Sequence, residues 1–166
     1  MIAVIINDAN PVENVPAEAV EQIFTGKVGT WKTLPGQPAV EAFTRNDKSG
    51  TYKVFQELAM GGKPYAESSQ KQPDNDRIVE AVASHPGGVG YVGLSYATAD
   101  GVKPVAIDGI APKPDNAATY PLSRKLFYYT IKGETGEDAL AFIRWANSSD
   151  EAAEIIRDVG FLPAGE

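Results

Sequence analysis

The stretch that most constrains the fold is an extended apolar run, Val40-Glu41-Ala42-Phe43, followed by the polar turn Arg45-Asn46-Asp47-Lys48-Ser49-Gly50-Thr51 and a helical pattern from Tyr52 to Met60. Strand, short loop and helix start in that order commit the chain to an α/β architecture. They also bring chemistry to one turn. The first N–H groups of a helix lack intrahelical acceptors and carry roughly half an elementary positive charge, so a helix start is suited to an anion. Gly50 leaves those amides uncovered, Ser49 and Thr51 each offer a hydroxyl, and Arg45 can present two parallel N–H donors to a tetrahedral oxyanion. The plainer reading is that Ser49 simply caps the helix, since serine is a common N-cap.

With 166 residues, the chain has room for one domain with a substantial core. Its 43% apolar content, in short runs punctuated by Gly and Pro, fits a globular α/β chain. Against 22 Asp and Glu stand 15 Lys and Arg, for a net charge of -7. That balance argues against nucleic acid and anionic membrane surfaces, which need a basic surplus. It leaves room for one small anion in direct contact, where screening is weak. Without cysteine there is no disulfide or thiolate chemistry. No run approaches the ~20 apolar residues of a membrane span, and the opening Ile2-Ala3-Val4-Ile5-Ile6 is shorter than the ~7–15 residues of a signal-peptide core. The sequence as it stands is expected to carry no export signal.

Along the chain, residues 1–6 read as a buried strand. Asn14 is placed to cap a helix over 16–24, with Val20, Ile23 and Phe24 on one face. Trp31 is expected as a core plug. Strand 39–44 delivers the polar turn, and helix 51–60 buries Phe55, Leu58 and Ala59. Residues 67–75 read as exposed, and Asp74 or Asn75 caps a helix to Ser84. Gly88-Val89-Gly90-Tyr91-Val92-Gly93 matches G-x-G-x-x-G, with Asp108 downstream as a ribose contact. The dinucleotide fingerprint needs a strand before it and a helix after it, whereas here the motif reads as the strand itself. Further strands are expected over 102–107 and 126–131, then helices over 136–147 and to 159, the second opened by a capping box of Ser148 with Glu151.

Catalytic constellations are poorly supplied. His85 is the sole histidine and suits a helix C-terminus. Asp74-Asn75-Asp76 lacks the later glycine and glutamate of a calcium loop. Asp47, the carboxylate near Ser49, is too weak a base to activate serine. No cofactor is called for, and binding rather than catalysis is expected.

Several stretches now fall into one family's order: residues 11–32, ending Ile23-Phe24-Thr25-Gly26-Lys27-Val28-Gly29-Thr30-Trp31-Lys32; the turn Arg45 to Thr51; Gly88-Val89-Gly90-Tyr91-Val92; and Tyr120-Pro121-Leu122-Ser123-Arg124. Together they make the chain resemble the phosphate-binding component of phosphate ABC transporters, a type II periplasmic binding protein. The resemblance implies one lobe of that fold, a mixed β-sheet flanked by helices. It implies a single domain over 1–166, with an anion-binding lobe over 8–121, crossover strands at 1–7 and 122–132, and C-terminal helices over 133–166. Arg45, Ser49, Gly50 and Thr51 correspond to phosphate ligands, with Asp47 as the acid that pairs with the arginine. Lys48 is given no role beyond local positive potential.

The same resemblance implies an ABC transporter permease as partner, and a periplasmic or extracellular location. It also implies that most of a first lobe is absent, and with it the acid that discriminates phosphate from sulfate. The uncovered helices are then expected to associate as a homo-oligomer, with weak anion binding in the half-site. The alternative is a single-lobe dimeric scaffold whose turn merely caps a helix.

Overall fold

The computed structural model describes residues 1–32, 36 and 38–163. In chain order the elements are β1 (Ile2–Asn7), β2 (Asn14–Val15), α1 (Ala17–Phe24), β3 (Glu41–Arg45), α2 (Gly50–Met60), β4 (Gln70–Gln72), α3 (Asn75–Ser84), β5 (Gly88–Gly93), β6 (Val102–Pro104), β7 (Ala106–Ile107), α4 (Glu137–Ser148) and α5 (Asp150–Asp158). The chain divides into two compact units, Met1–Ser123 and Arg124–Glu166.

In the first unit a five-stranded sheet has the order β4-β3-β5-β1-β6. Strands β4, β3 and β5 run parallel, while β1 is antiparallel to both β5 and β6. The sheet is mixed, as expected. Both faces are covered, which is why β1 is apolar at five consecutive positions and buried along its whole length. Its alternate residues serve opposite cores. Ile2, Val4 and Ile6 join Phe24 of α1 and Phe55 of α2, whereas Ala3 and Ile5 join Ile78 and Val82 of α3. Helices therefore flank both faces.

Strand β5 is the glycine-rich run, and its geometry explains the glycines. A Cβ on Gly87, just ahead of the strand, would overlap the Ala39 carbonyl oxygen, and one on Gly90 within it would lie 2.5 Å from Ile78 Cγ2. Bare backbone is what lets the 38–40 segment and α3 close on the strand. The dinucleotide motif is accordingly a strand packed beneath a helix. Trp31 is buried and donates its indole N–H to Gly87 O at 2.9 Å, a core plug tied to the same strand.

Several local expectations shift. Asn14 lies in β2, where its Oδ1 accepts from the Gly109 amide at 2.7 Å. The start of α1 is served by Asp108, whose Oδ1 accepts from the Ala17 amide at 3.2 Å while its own φ is 51°. Within 67–75, residues 70–72 form the edge strand β4. The predicted strand over 102–107 is interrupted: β6 and β7 flank Val105, whose amide donates to Val4 O, and β7 pairs with β2 in a separate two-stranded sheet.

In the second unit, α4 and α5 form where expected, except that Ser149 rather than Ser148 is the N-cap of α5, accepting from the Ala152 amide at 3.4 Å. Residues 164–166 lie outside the described part. Residues 126–131, expected as a strand, belong to no strand. A β-strand exists only through a partner ladder, and among the described residues none pairs with this segment.

Candidate functional site

The polar turn lies at the carboxyl end of β3. Arg45 is the last residue of that strand and Ser49 is the N-cap of α2, with φ -77° and ψ 126°. Between them the Asn46 side chain accepts from the Lys48 amide at 3.2 Å, and its carbonyl accepts from the Ser49 amide at 3.1 Å. This asparagine turn brings the chain from strand to helix in three residues.

At the head of α2 neither the Ser49 hydroxyl nor the Gly50 amide is spent on the helix. Ser49 is only 9% exposed, yet its hydroxyl makes no capping bond to the helix. Gly50 is exposed, and a Cβ built there would meet nothing within 4 Å. Its amide, at the first helical position, has no acceptor among the described residues. Thr51 follows on the same first turn, half-buried. The structure thus places Ser49, Gly50 and Thr51 on one helix start, as the sequence predicts.

Arg45 is held differently from expectation. Its Nη1 donates to Asn75 Oδ1 at 3.4 Å and its Nη2 to the Pro73 carbonyl at 3.1 Å, while its Nε is buried without a partner among the described residues. Asp47, expected to pair with this arginine, is exposed and forms no ion pair with it. The turn carries Asp47 toward solvent, and the residues leading into α3 take over the guanidinium.

A hydroxyl chain braces the turn from beneath. The Arg45 amide donates to Tyr91 Oη at 3.2 Å, the hydroxyls of Tyr91 and Tyr65 are 3.1 Å apart, and Tyr65 donates to the Tyr52 carbonyl at 2.8 Å. Each hydroxyl has one proton, so with Tyr65's committed to Tyr52, Tyr91 must donate to Tyr65. The end of β3 is thereby linked to the first turn of α2. The rings are locked by stacking: Phe55 on Tyr91 at 3.9 Å, and Tyr52 on Tyr65 at 4.4 Å. Burial pushes the Tyr91 hydroxyl up to about 12 and raises Tyr65 further. Both remain neutral donors at physiological pH. Sequence reading missed this brace and Asn75, because neither the hydroxyl chain nor the arginine grip has a local spacing signature.

Other sequence candidates have structural duties. His85 sits at the C-cap of α3, with Nδ1 2.7 Å from the Ala81 carbonyl. Asp74 is the N-cap of the same helix, accepting from the Arg77 amide at 2.9 Å. Among the described residues, no helix is long and apolar enough to cross a membrane.

Fold and turn together define a class: an α/β domain with a polar turn at the carboxyl end of a parallel strand, the place where open α/β sheets take their ligands. The chain belongs to the PBP superfamily, whose domain model matches residues 1–150. It is 33% identical over 165 residues to the phosphate-binding protein PstS of Bacillus subtilis, covering 98% of this chain and 54% of that protein. The PstS of Pseudomonas aeruginosa is 30% identical over 190 residues, covering 98% and 57%. The chain thus spans about half the length of the curated relatives it matches. Among solved structures, a putative phosphate ABC transporter substrate-binding protein with bound phosphate from Clostridium perfringens superposes with a TM-score of 0.87 at 28% identity, over 98% of this chain and 68% of that one. An ABC-type phosphate transport receptor from Vibrio cholerae gives 0.80 at 26%, over 97% and 68%. The scaffold alternative gains no support from these relatives.

Proposed function

We propose that the chain binds inorganic phosphate or a similar tetrahedral oxyanion, without catalysis, at Arg45, Ser49, Gly50 and Thr51, as part of the solute-binding component of an ABC uptake system. The observation that carries this reading is Ser49. A serine at an N-cap ordinarily spends its hydroxyl on its own helix; this one is nearly buried and does not. Beside it, the Gly50 amide is open and Arg45 stands at the strand end. The relatives named for phosphate binding and transport support the choice of ligand. The partner would be an ABC transporter permease, and the location periplasmic or extracellular. Asp47 remains a secondary element of the site, in a peripheral place rather than as the partner of Arg45. The chain is further proposed to self-associate through the apolar surface of residues 124–163.

Isothermal titration with inorganic phosphate tests the reading. Saturable binding is expected, with Arg45→Ala weakening it at least about tenfold, in line with the ~1.5–3 kcal/mol of a hydrogen bond to a charged group. Equal binding by Arg45→Ala would remove the site.

A further inference from the structure

Arginine at an anion site must be aimed, and what aims it decides how much of its charge reaches the ligand. The natural device is a carboxylate, which orients a guanidinium but also competes for it. The geometry around Arg45 is of another kind. Nη1 donates to an amide oxygen, Asn75 Oδ1, and Nη2 to a peptide oxygen, Pro73 O, both in the short run that leads into α3. That run is itself fixed, since Asp74 caps the helix through the Arg77 amide and β4 ladders onto β3 up to Gln72 opposite Arg45. The Arg45 backbone is clamped from the other side by Tyr91. All three acceptors of Arg45 donors are neutral, while the carboxylate two residues along the chain, Asp47, is turned to solvent and forms no ion pair with Arg45.

We infer that Asn75 is a positioning residue for Arg45, orienting the guanidinium through a neutral acceptor so that the full positive charge stays available to the oxyanion. This rests on the oxyanion reading above. A neutral grip costs some rigidity relative to an ion pair, but it imposes no like charge on an incoming anion. Charge-assisted bonds to the ligand are roughly twice as strong as neutral ones, so an un-neutralised arginine favours binding.

The test is titration of the chain with inorganic phosphate at low and high salt, for the wild type, Arg45→Ala, Asn75→Ala, Asn75→Asp and Asp47→Asn. Asn75→Ala is expected to weaken binding by about three- to tenfold, as for loss of one hydrogen bond. Asn75→Asp keeps an acceptor in place and puts a favourable charge at the first position of α3, so the fold is not at risk. It is nevertheless expected to bind phosphate more weakly than the wild type at low salt, with the deficit shrinking as salt screens the added carboxylate. A merely structural role for Asn75 would instead lower the unfolding midpoint of Asn75→Ala, whereas a positioning role weakens phosphate binding by a variant that unfolds like the wild type. Asp47→Asn, which touches neither guanidinium donor of Arg45, is expected to weaken binding less than Asn75→Ala does. Asn75→Ala binding like the wild type while Arg45→Ala fails, or Asp47→Asn failing as Asn75→Ala should, overturns the inference and leaves the oxyanion site standing. Absence of phosphate binding by the wild type overturns both.

Discussion

Tyr91 does two jobs with one hydroxyl: it accepts from the Arg45 amide and donates toward Tyr65. Removing it in Tyr91→Phe leaves a backbone N–H at the end of β3 without its acceptor and breaks the link to α2. The expected cost is about 1–3 kcal/mol in denaturant unfolding, with phosphate binding weakened alongside. Tyr65→Phe should cost less, because it leaves the Tyr52 carbonyl, at a more exposed site, able to meet water. The same burial gives a pH signature. The folded Tyr91 holds its proton up to about 12, against an ordinary value near 10. Its contribution is therefore fully present below pH ~10, where the unfolded side chain is also protonated, and is lost as pH rises toward 12. There the unfolded state binds fewer protons than the folded one, so stability falls with pH. Tyr65 and Tyr120, both raised by burial, act in the same direction. A stability series followed by circular dichroism, with tyrosinate absorbance read in parallel, should show unfolding that begins before the buried tyrosines ionise. Early ionisation in a still-folded chain would contradict the buried hydroxyl chain. The proposed ligand residues Arg45, Ser49, Gly50 and Thr51 are readable as types on a strand-loop-helix. Their supports are not, because Tyr91 and Asn75 lie 46 and 30 residues away from Arg45.

Elements became legible where one periodicity dominated. Strand β1 opens as an unbroken apolar run and β5 sets Val89, Tyr91 and Val92 among glycines, and both are legible as strands. Helices α1, α2 and α3 each keep a buried stripe. What escaped was set by neighbours. Strand β4, Gln70–Gln72, has no apolar residue and exists because β3 offers it a parallel edge. The cap of α1 comes from Asp108, 91 positions from Ala17. Two substitutions separate these causes. Gly90→Ala places a methyl carbon where Ile78 Cγ2 and Val82 Cγ2 already stand, so it should destabilise by about 1–3 kcal/mol through overpacking between β5 and α3. Asp108→Ala removes the distant cap and leaves alanine at a positive φ, with an expected loss of about 1–2 kcal/mol. Thermal unfolding of both variants measures the difference. If Gly90→Ala were neutral, the glycines of β5 would not be explained by the close approach of α3.

At the scale of the molecule the two units differ in how they bury apolar surface. Met1–Ser123 has two cores of large side chains, one on each face of its sheet. Among the described residues of Arg124–Glu166, the buried apolar side chains are only Ala146 and Ala152. Two alanines cannot stabilise a unit of this size, since a small unit already buries too little surface for its entropy cost. Its large residues face outward instead: Phe127 is 67% exposed, Tyr129 91%, Ile131 63% and Phe142 53%. This is also why the predicted strand at 126–131 is missing. Its run of Leu126, Phe127, Tyr128, Tyr129, Thr130 and Ile131 has strand propensity but, among the described residues, no strand to pair with, and propensity without a ladder does not make a strand. Apolar surface of this kind is ordinarily covered by another surface. The chain alone at micromolar concentration is therefore expected to sediment above monomer mass, with the double substitution Phe127→Ser and Tyr129→Ser shifting it toward monomer. That variant should leave phosphate binding unchanged, because Arg45, Ser49, Gly50 and Thr51 all belong to the first unit. A compact wild-type monomer across the concentration range would refute self-association through this surface, whereas loss of phosphate binding in the variant would show that the second unit contributes to the site.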